Sequence, residues 1–477
     1  MTDRDREIFF NAMSIVQRVP SAVGQEIYGH KYYSRDFFNR MHLYMGADPA
    51  CDHWHDSAGF VTAHVGIELM FEQALQSIDP SISLPYWDFT IEGTDHDAST
   101  FRSSSVFSDD WFGDAAPQNK LRAVEKGRFA FVPTMMDATE YSVITNAYGL
   151  LRAPWNTNPS PFATRSDHIS GFFNNRKPSG CRQYRDSIMS SDWMSLAEGI
   201  GHDAHGHIHE LLGGSWSPGG DNYATYRATD IIDPFVHTMQ AHSKLLWRAN
   251  YMICPEWCPG DLPWHSCNCQ CDPSTMTGMS AAEVLEDSGV LGAGFFYDRN
   301  LTLINRLEDD EGRAMVPLPG YTLAQTDEIY QEMLNVLCMP MIIGTHYSAT
   351  STNDMTFWLL HPAFDRLWHL TRLDSQPNFD HTWEVTDVCY GHNPDDIHPF
   401  GSLFLGDDGR RHEESNEFKV GESGVRVTPL KKYHTNQDLY DNLRPDGNTI
   451  PYIYDNLHWP HCEALGIHVR PPKDMQT

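Results

Sequence analysis

The sequence predicts a mainly α-helical protein whose helices are joined by long loops and small β elements. Two observations carry this reading. Apolar residues recur at spacings of three and four, most clearly Ile67, Phe71, Leu75 and Ile78, which is the period of a helix with one face on a core. From Thr94 to Ser190, by contrast, short apolar runs are broken by Pro, Gly, Asn and Ser, the texture of long loops with small strands packed over that core.

Composition narrows the function classes. The chain has 477 residues, enough for two or three domains or one elaborated one. Its formal charge of -30, from 34 basic and 64 acidic side chains, disfavours nucleic acid and anionic membranes, which would repel a surface of this sign. No apolar run approaches the roughly eighteen residues of a membrane helix, and the start MTDRDREIFF is too charged for a signal peptide, so a soluble protein is expected. There are 25 histidines, and histidine is the commonest metal-binding side chain. The 10 cysteines are uneven, with Cys254, Cys258, Cys267, Cys269 and Cys271 in one short stretch, which leaves the redox compartment open.

Each helical segment carries its own argument. Residues 3 to 18 offer an apolar side of Ile8, Phe9, Ala12, Met13, Ile15 and Val16. Ser34 is a suitable N-cap for the next helix, where Phe38, Met41, His42 and Met45 share a face. In the helix after His55, His64 stands one turn before Ile67 and so points inward. Three inward imidazoles, His42, His55 and His64, would satisfy one metal with nitrogen ligands alone. His205 and His209 are four apart on one helical face, with Gly213-Gly214 as a C-terminal stop, and His207 faces the other way. Zinc enzymes use the same pair with a glutamate after the first histidine, but position 206 is Gly. A further helix is expected from Asn353 or Asp354, with Phe357, Leu360, His361, Phe364, Leu367 and Trp368 on its buried face and a kink at Pro362. Asp365 lies one turn beyond His361, where it would orient a ligand imidazole or pair with Arg366.

These residues together resemble the type 3 dicopper family of tyrosinases, catechol oxidases and molluscan hemocyanins. His42, His55, His64 and Leu84-Pro85-Tyr86-Trp87-Asp88 match its first copper segment; His205, His209, Gly213 and Gly214 match the start of its second. Ser351, Asn353, Asp354, Phe357, Trp358, Leu359, His361, Asp365, Arg366, Leu367 and Trp368 match the rest of the second. Tyr452-Ile453-Tyr454-Asp455 is similar to the tyrosine motif that closes the family's core, often against an N-terminal arginine, for which Arg18 is the candidate. The resemblance implies an antiparallel four-helix bundle holding two copper ions, each on three imidazoles: His42, His55 and His64 for one, His205, His209 and His361 for the other. It implies dioxygen and a small phenolic substrate as partners, and oxidation of phenols or o-diphenols (catechols) to o-quinones. A hemocyanin-like dioxygen-binding protein, or a member oxidising another aromatic such as an aminophenol, is the alternative.

Departures from the family pattern sharpen these expectations. Ala63 and Val65 flank His64 where relatives usually have Trp and Arg, and Leu360 replaces a second adjacent histidine, leaving His361 as the ligand. Gly206 stands where phenol-hydroxylating members often carry Asn, and Glu198 is the nearest upstream glutamate to serve as the base. His53 occupies the position of a cysteine that cross-links to the second ligand in some relatives, with Cys51 two residues away as a substitute. The separation of His209 from His361 far exceeds the family's usual one. An alternative third ligand is therefore His237 or His242, after Asp233-Pro234-Phe235. The expected organisation is a discontinuous core of residues 1–214 and 351–400, a large cysteine-containing insertion over 215–350, and a closing segment over 401–477. The cysteine cluster with His265 forms either disulfides or a second metal site, and the acidic run Glu308 to Glu311 is a solvated face.

Overall fold

The computed structural model describes residues 1–94, 100–135, 158, 160–169, 172–173, 177–216, 242–255, 269–291, 309, 313–339, 341–373, 378–385, 389–400, 403–404, 419–421, 424–426 and 434–469. The expectations for Cys258, Cys267, His265, His237, the Asp233-Pro234-Phe235 segment and most of the acidic run fall outside these residues.

The chain enters through α1 (Asp3–Arg18), whose cap Thr2 accepts from the Asp5 amide, with Asp3 and Asp5 in the first turn and Arg18 in the last, as the helix dipole favours. It buries Phe9, Phe10, Ala12, Met13 and Val16. After α2 (Ser21–Tyr28), α3 (Arg35–Gly46) buries Phe38, Met41, His42 and Met45. Ser34 precedes α3 but does not cap it, because its hydroxyl is held 3.1 Å from that of Ser21. In α4 (Gly59–Ile78) every residue from Gly59 to Leu75 is buried, so this helix runs through the centre of the molecule. The short α5 (Thr90–Gly93) follows the LPYWD turn, and α6 (Cys181–Ile188) and α7 (Trp193–Glu198) lead to a π-helical segment, Gly199–Gly206. That runs directly into α8 (His207–Gly213).

Next come α9 (Ser243–Arg248), α10 (Ala281–Asp287), α11 (Leu323–Leu337) and α12 (Phe357–Leu373). The start of α12 lies later than Asn353 or Asp354 because Ser351–Asn353 forms a 3-10 turn and the Asp354 carboxylate takes the Thr356 amide at 3.0 Å. A bidentate pair of 2.7 Å bonds from Arg165 fixes that carboxylate. The chain ends with α13 (Asn436–Asn442) and α14 (Pro460–Ala464). Strand content among the described residues is slight. β1 (His168–Ile169) pairs with β2 (Phe172–Phe173); of β3 (Ser215–Trp216), β4 (Met252–Ile253), β5 (Gln270–Cys271) and β6 (Ile342–Ile343), β3 pairs with β6 and β4 with β5. The last pair is β7 (Lys419–Gly421) with β8 (Gly424–Arg426), and all four ribbons are antiparallel.

The interior divides into two apolar clusters. The larger joins α1, α3, α4, α6 to α8 and α12 with the C-terminal segment. The second gathers α9, α10 and α11 against Leu43 and Ala47, at the end of α3. Among the described residues four disulfides tie the chain: Cys51–Cys389, Cys181–Cys462, Cys254–Cys269 and Cys271–Cys338. Cys51 is thus taken by Cys389, which removes it as a thioether partner for the ligand histidine His55, and Cys254, Cys269 and Cys271 are bonded sulfurs rather than metal ligands.

The C-terminal segment closes over α12 through Arg366 and Asp365, which do not pair with each other. The Arg366 guanidinium donates to Asp88 at 2.9 Å and to the Asn456 and His458 carbonyls at 2.9 and 2.7 Å, and lies 4.0 Å above the Trp459 ring. Asp365 accepts from the hydroxyls of Tyr452 at 2.8 Å and Tyr454 at 2.7 Å. The tyrosine motif is therefore held by Asp365 and not by Arg18, and Asp365 serves the tyrosines and His369 rather than a ligand imidazole.

On the opposite side Asn436 joins α13 to α4: its carbonyl oxygen accepts from Thr62 at 2.7 Å and from the His398 Nε2 at 2.6 Å. His398 stacks on Phe400 and is buried, and burial pushes its pKa down to about 4 despite the Asn436 bond. The unfolded chain binds this proton near 6.5, so stability is fully present above that value and declines as the pH falls toward 4, by about 3 kcal/mol at most. Denaturant unfolding of the wild type and of His398→Gln across that window should show a smaller loss in the variant; equal losses would remove His398 as the cause.

Candidate metal centre

Five helical elements and one turn bring six of the predicted histidines into two groups. His42 of α3, His55 from the turn before α4, and His64 of α4 form one; His205 of the π-helical segment, His209 of α8 and His361 of α12 form the other. Within the first, the Nε2 of His42 lies 3.2 Å from that of His55 and 3.4 Å from that of His64. Within the second, the Nε2 of His209 lies 2.8 Å from that of His205 and 3.1 Å from that of His361. The groups are neighbours, with the His64 and His361 ring centres 4.9 Å apart.

Hydrogen bonds at the far nitrogens decide what these close approaches mean. The Nδ1 of His42 meets the Ala349 carbonyl at 2.7 Å, that of His64 the Phe60 carbonyl at 2.8 Å, and that of His209 the His346 carbonyl at 3.0 Å. The Nδ1 of His55 meets an Asp52 carboxylate oxygen at 2.7 Å. All four partners are acceptors, so each of these Nδ1 atoms carries the proton and each Nε2 presents a bare lone pair. Lone pairs 3.2 to 3.4 Å apart repel unless a cation sits between them. Imidazole nitrogens about 2.0–2.1 Å from a shared ion lie roughly 3.3 Å from one another, so the spacing fits a metal.

Burial supplies the right protonation state. It pushes His42 and His205 down to about 3, with neighbouring histidine charge adding to the effect, and for the same two reasons holds His64, His209 and His361 well below the usual imidazole range. Neutral imidazole is the ligand form. An all-nitrogen donor set of this kind suits copper. Asp52 stays ionised: burial opposes its charge, but His55 and Lys244 outweigh that and hold it well below the carboxylate range. Lys244, from α9, reaches Asp52 at 3.1 Å and Asp56 at 3.2 Å.

Two phenylalanines span both groups. Phe60 packs 4.4 Å from His64 and 5.4 Å from His205, and Phe357 lies 3.9 Å from His361 and 5.6 Å from His42. His55 and His209 are the partly exposed members, one in each group, so solvent reaches the pair from their side. Gly214 closes α8 at φ 60°, and a β-carbon there would meet the Ser166 carbonyl oxygen at 2.3 Å, so the glycine is required by both conformation and space.

The remaining predicted residues are placed differently. His242 stands at the start of α9, outside both groups. Glu198 is the last residue of α7, immediately before the π-helical segment that carries His205, partly buried and with no hydrogen bond or ion pair among the described residues. Sequence reasoning missed Asp52, Lys244, the His346 and Ala349 carbonyls, and Glu68, whose Oε1 lies 3.6 Å from the His361 Nδ1. Asp52 and Glu68 did leave a signal, a carboxylate within one turn of His55 and of His64 respectively; a carbonyl leaves none.

The chain matches the common central domain of tyrosinase over residues 31–235. A stretch of 59 residues is 44% identical to grixazone synthase of Streptomyces griseus subsp. griseus, covering 12% of this chain and 17% of that protein. The chain is thus aligned with less than a fifth of that relative's length. The family match stops at residue 235, short of His361 and beside the alternative third ligand, whereas the geometry groups His361 with His205 and His209. Accordingly His361→Ala should lower bound copper from two ions per chain to one, and His242→Ala should leave both, as read by elemental analysis after dialysis; the opposite pattern would transfer the ligand role to His242.

Proposed function

We propose, on the premise that this chain carries the central domain of tyrosinase and is a type 3 dicopper protein, that it is an oxidase using dioxygen to convert phenols or o-diphenols to o-quinones. The observation that carries the reading is the pair of buried imidazole triads whose Nε2 atoms converge, with bare lone pairs fixed on His42, His55, His64 and His209 by the acceptors at their Nδ1 atoms. His42, His55 and His64 would hold one copper and His205, His209 and His361 the other. When bound there, the two coppers would supply the redox chemistry of dioxygen reduction.

The protein's own contribution is position, access and proton handling. Carbonyls and Asp52 lock four rings so that the imidazoles do not turn between turnovers. Phe60 and Phe357 wall the pair with apolar surface and keep bulk water from it. The partly exposed edges of His55 and His209 mark the side from which an aromatic ring would arrive. Glu198, just ahead of the His205 segment, is the proposed base for the phenolic proton. The stoichiometry balances with two catechols per dioxygen: each catechol gives up two electrons and two protons, and dioxygen takes up four of each to form two waters.

The test is to load the chain with copper, add oxygen and a catechol, and follow quinone absorbance together with oxygen uptake. Two coppers per chain and two quinones per dioxygen are expected, and Glu198→Gln should slow a monophenol more than a catechol. A stoichiometry far from two coppers would overturn the dicopper reading, and full loading with reversible oxygen uptake but no quinone would make the chain an oxygen carrier. Turnover of an aminophenol with none of a catechol would overturn the substrate class.

A further inference from the structure

The central helix α4 is buried on all sides, so each polar side chain on it needs a partner. Thr62 has Asn436, His64 has the Phe60 carbonyl, Gln73 has the Leu403 carbonyl, and Glu72 takes the Leu84 amide at 2.7 Å. Glu68 is different. It is 5% exposed, its Oε1 has no hydrogen-bond partner, and no Lys or Arg pairs with it among the described residues. A buried carboxylate left in this way is destabilising unless something positive arrives.

What Glu68 faces is His361. Its Oε1 lies 3.6 Å from the His361 Nδ1, and that nitrogen is also buried and without a hydrogen-bond partner. The distance exceeds a hydrogen bond by a few tenths of an ångström. The two orphaned atoms nonetheless complement each other, since the Nε2 of the same ring is turned toward His209 at 3.1 Å. The first triad has a matching arrangement, Asp52 behind His55, but there Lys244 balances the carboxylate. Among the described residues no such cation stands beside Glu68.

We propose that Glu68 is a positioning residue for the second metal: it takes the His361 Nδ1 proton in a hydrogen bond when the ion is bound, and its charge is balanced by that ion. This rests on the dicopper reading above and adds a dedicated carboxylate to one of its six ligands. A carboxylate behind a ligand imidazole raises its basicity, strengthens its bond to the metal, and is typically worth about 10–100-fold in affinity. A charge uncompensated without metal also makes the metal-free protein less stable than one with an apolar side chain at this position.

The experiment compares wild type, Glu68→Gln and Glu68→Leu by copper titration against a competing chelator, by potentiometry of the loaded pair, and by thermal melting without metal. Expected are a loss of about 10–100-fold in affinity for one of the two coppers in Glu68→Leu, with the other unchanged. Glu68→Gln should show a smaller loss, because its amide oxygen still accepts. The reduction potential should rise in both variants, and the metal-free Glu68→Leu protein should melt no lower than wild type. Unaltered affinity and potential in both variants would overturn the proposal, as would weakening of both coppers alongside a lower melting temperature, which would mark Glu68 as merely structural. If wild type itself fails to bind two coppers, the dicopper reading falls first, and the variants are then compared by melting alone, where a Glu68→Leu protein less stable than wild type rejects the proposal.

Discussion

The structure depends on one electrostatic constraint: imidazoles that donate outward at Nδ1 must face one another with bare lone pairs at Nε2. The outward bonds come from a helix carbonyl, a loop carboxylate and two carbonyls more than a hundred residues away in the chain. Their joint effect is to gather repulsive groups that only a cation reconciles. Such an arrangement is expensive to hold empty, and the surrounding packing has to be rigid enough to hold it. The full burial of α4, the ring contacts of Phe60 and Phe357, and the Arg165–Asp354 pair at the start of α12 serve that end.

The same constraint explains why the long stretch between β3 and α12 is part of the centre. Residues 344–350 deliver the His346 and Ala349 carbonyls, one to each triad, and α9 delivers Lys244 to the carboxylate behind His55. The α9–α11 cluster packs against the end of α3, the helix that carries His42. Its disulfides Cys254–Cys269 and Cys271–Cys338 make the scaffold around these contacts stiff and fit an oxidising compartment.

Much of this was legible in the residues. Helical period with an inward histidine located α3, α4 and α12, since burial of an apolar stripe and the projection of side chains at three and four residues are local properties. The H-x8-H and H-x3-H spacings located four of the six converging rings, and His42 and His361 followed from the buried faces of their own helices. What stayed hidden is long-range or made of backbone. Nothing in GIGHDAHG announces a π-helical segment, whose wider turn depends on tertiary packing. Asp365 lies where a ligand partner was expected, yet Tyr452 and Tyr454 capture it from a segment that spacing alone does not place. Cys51 could be read only by its neighbour His53, because its actual partner Cys389 is 338 positions away.

That distance in sequence has a temporal side. His42 and Ala349 are separated by 307 residues, and His209 and His361 by 152. During synthesis the N-terminal triad can be present as a sequence long before its acceptor carbonyl exists, and the second triad is not complete until α12 has left the ribosome. Loop-closure entropy makes such contacts among the last to form. Any ion held by the six imidazoles would therefore join an already condensed chain rather than act as a nucleus around which it folds, and would approach from the side where His55 and His209 are partly exposed.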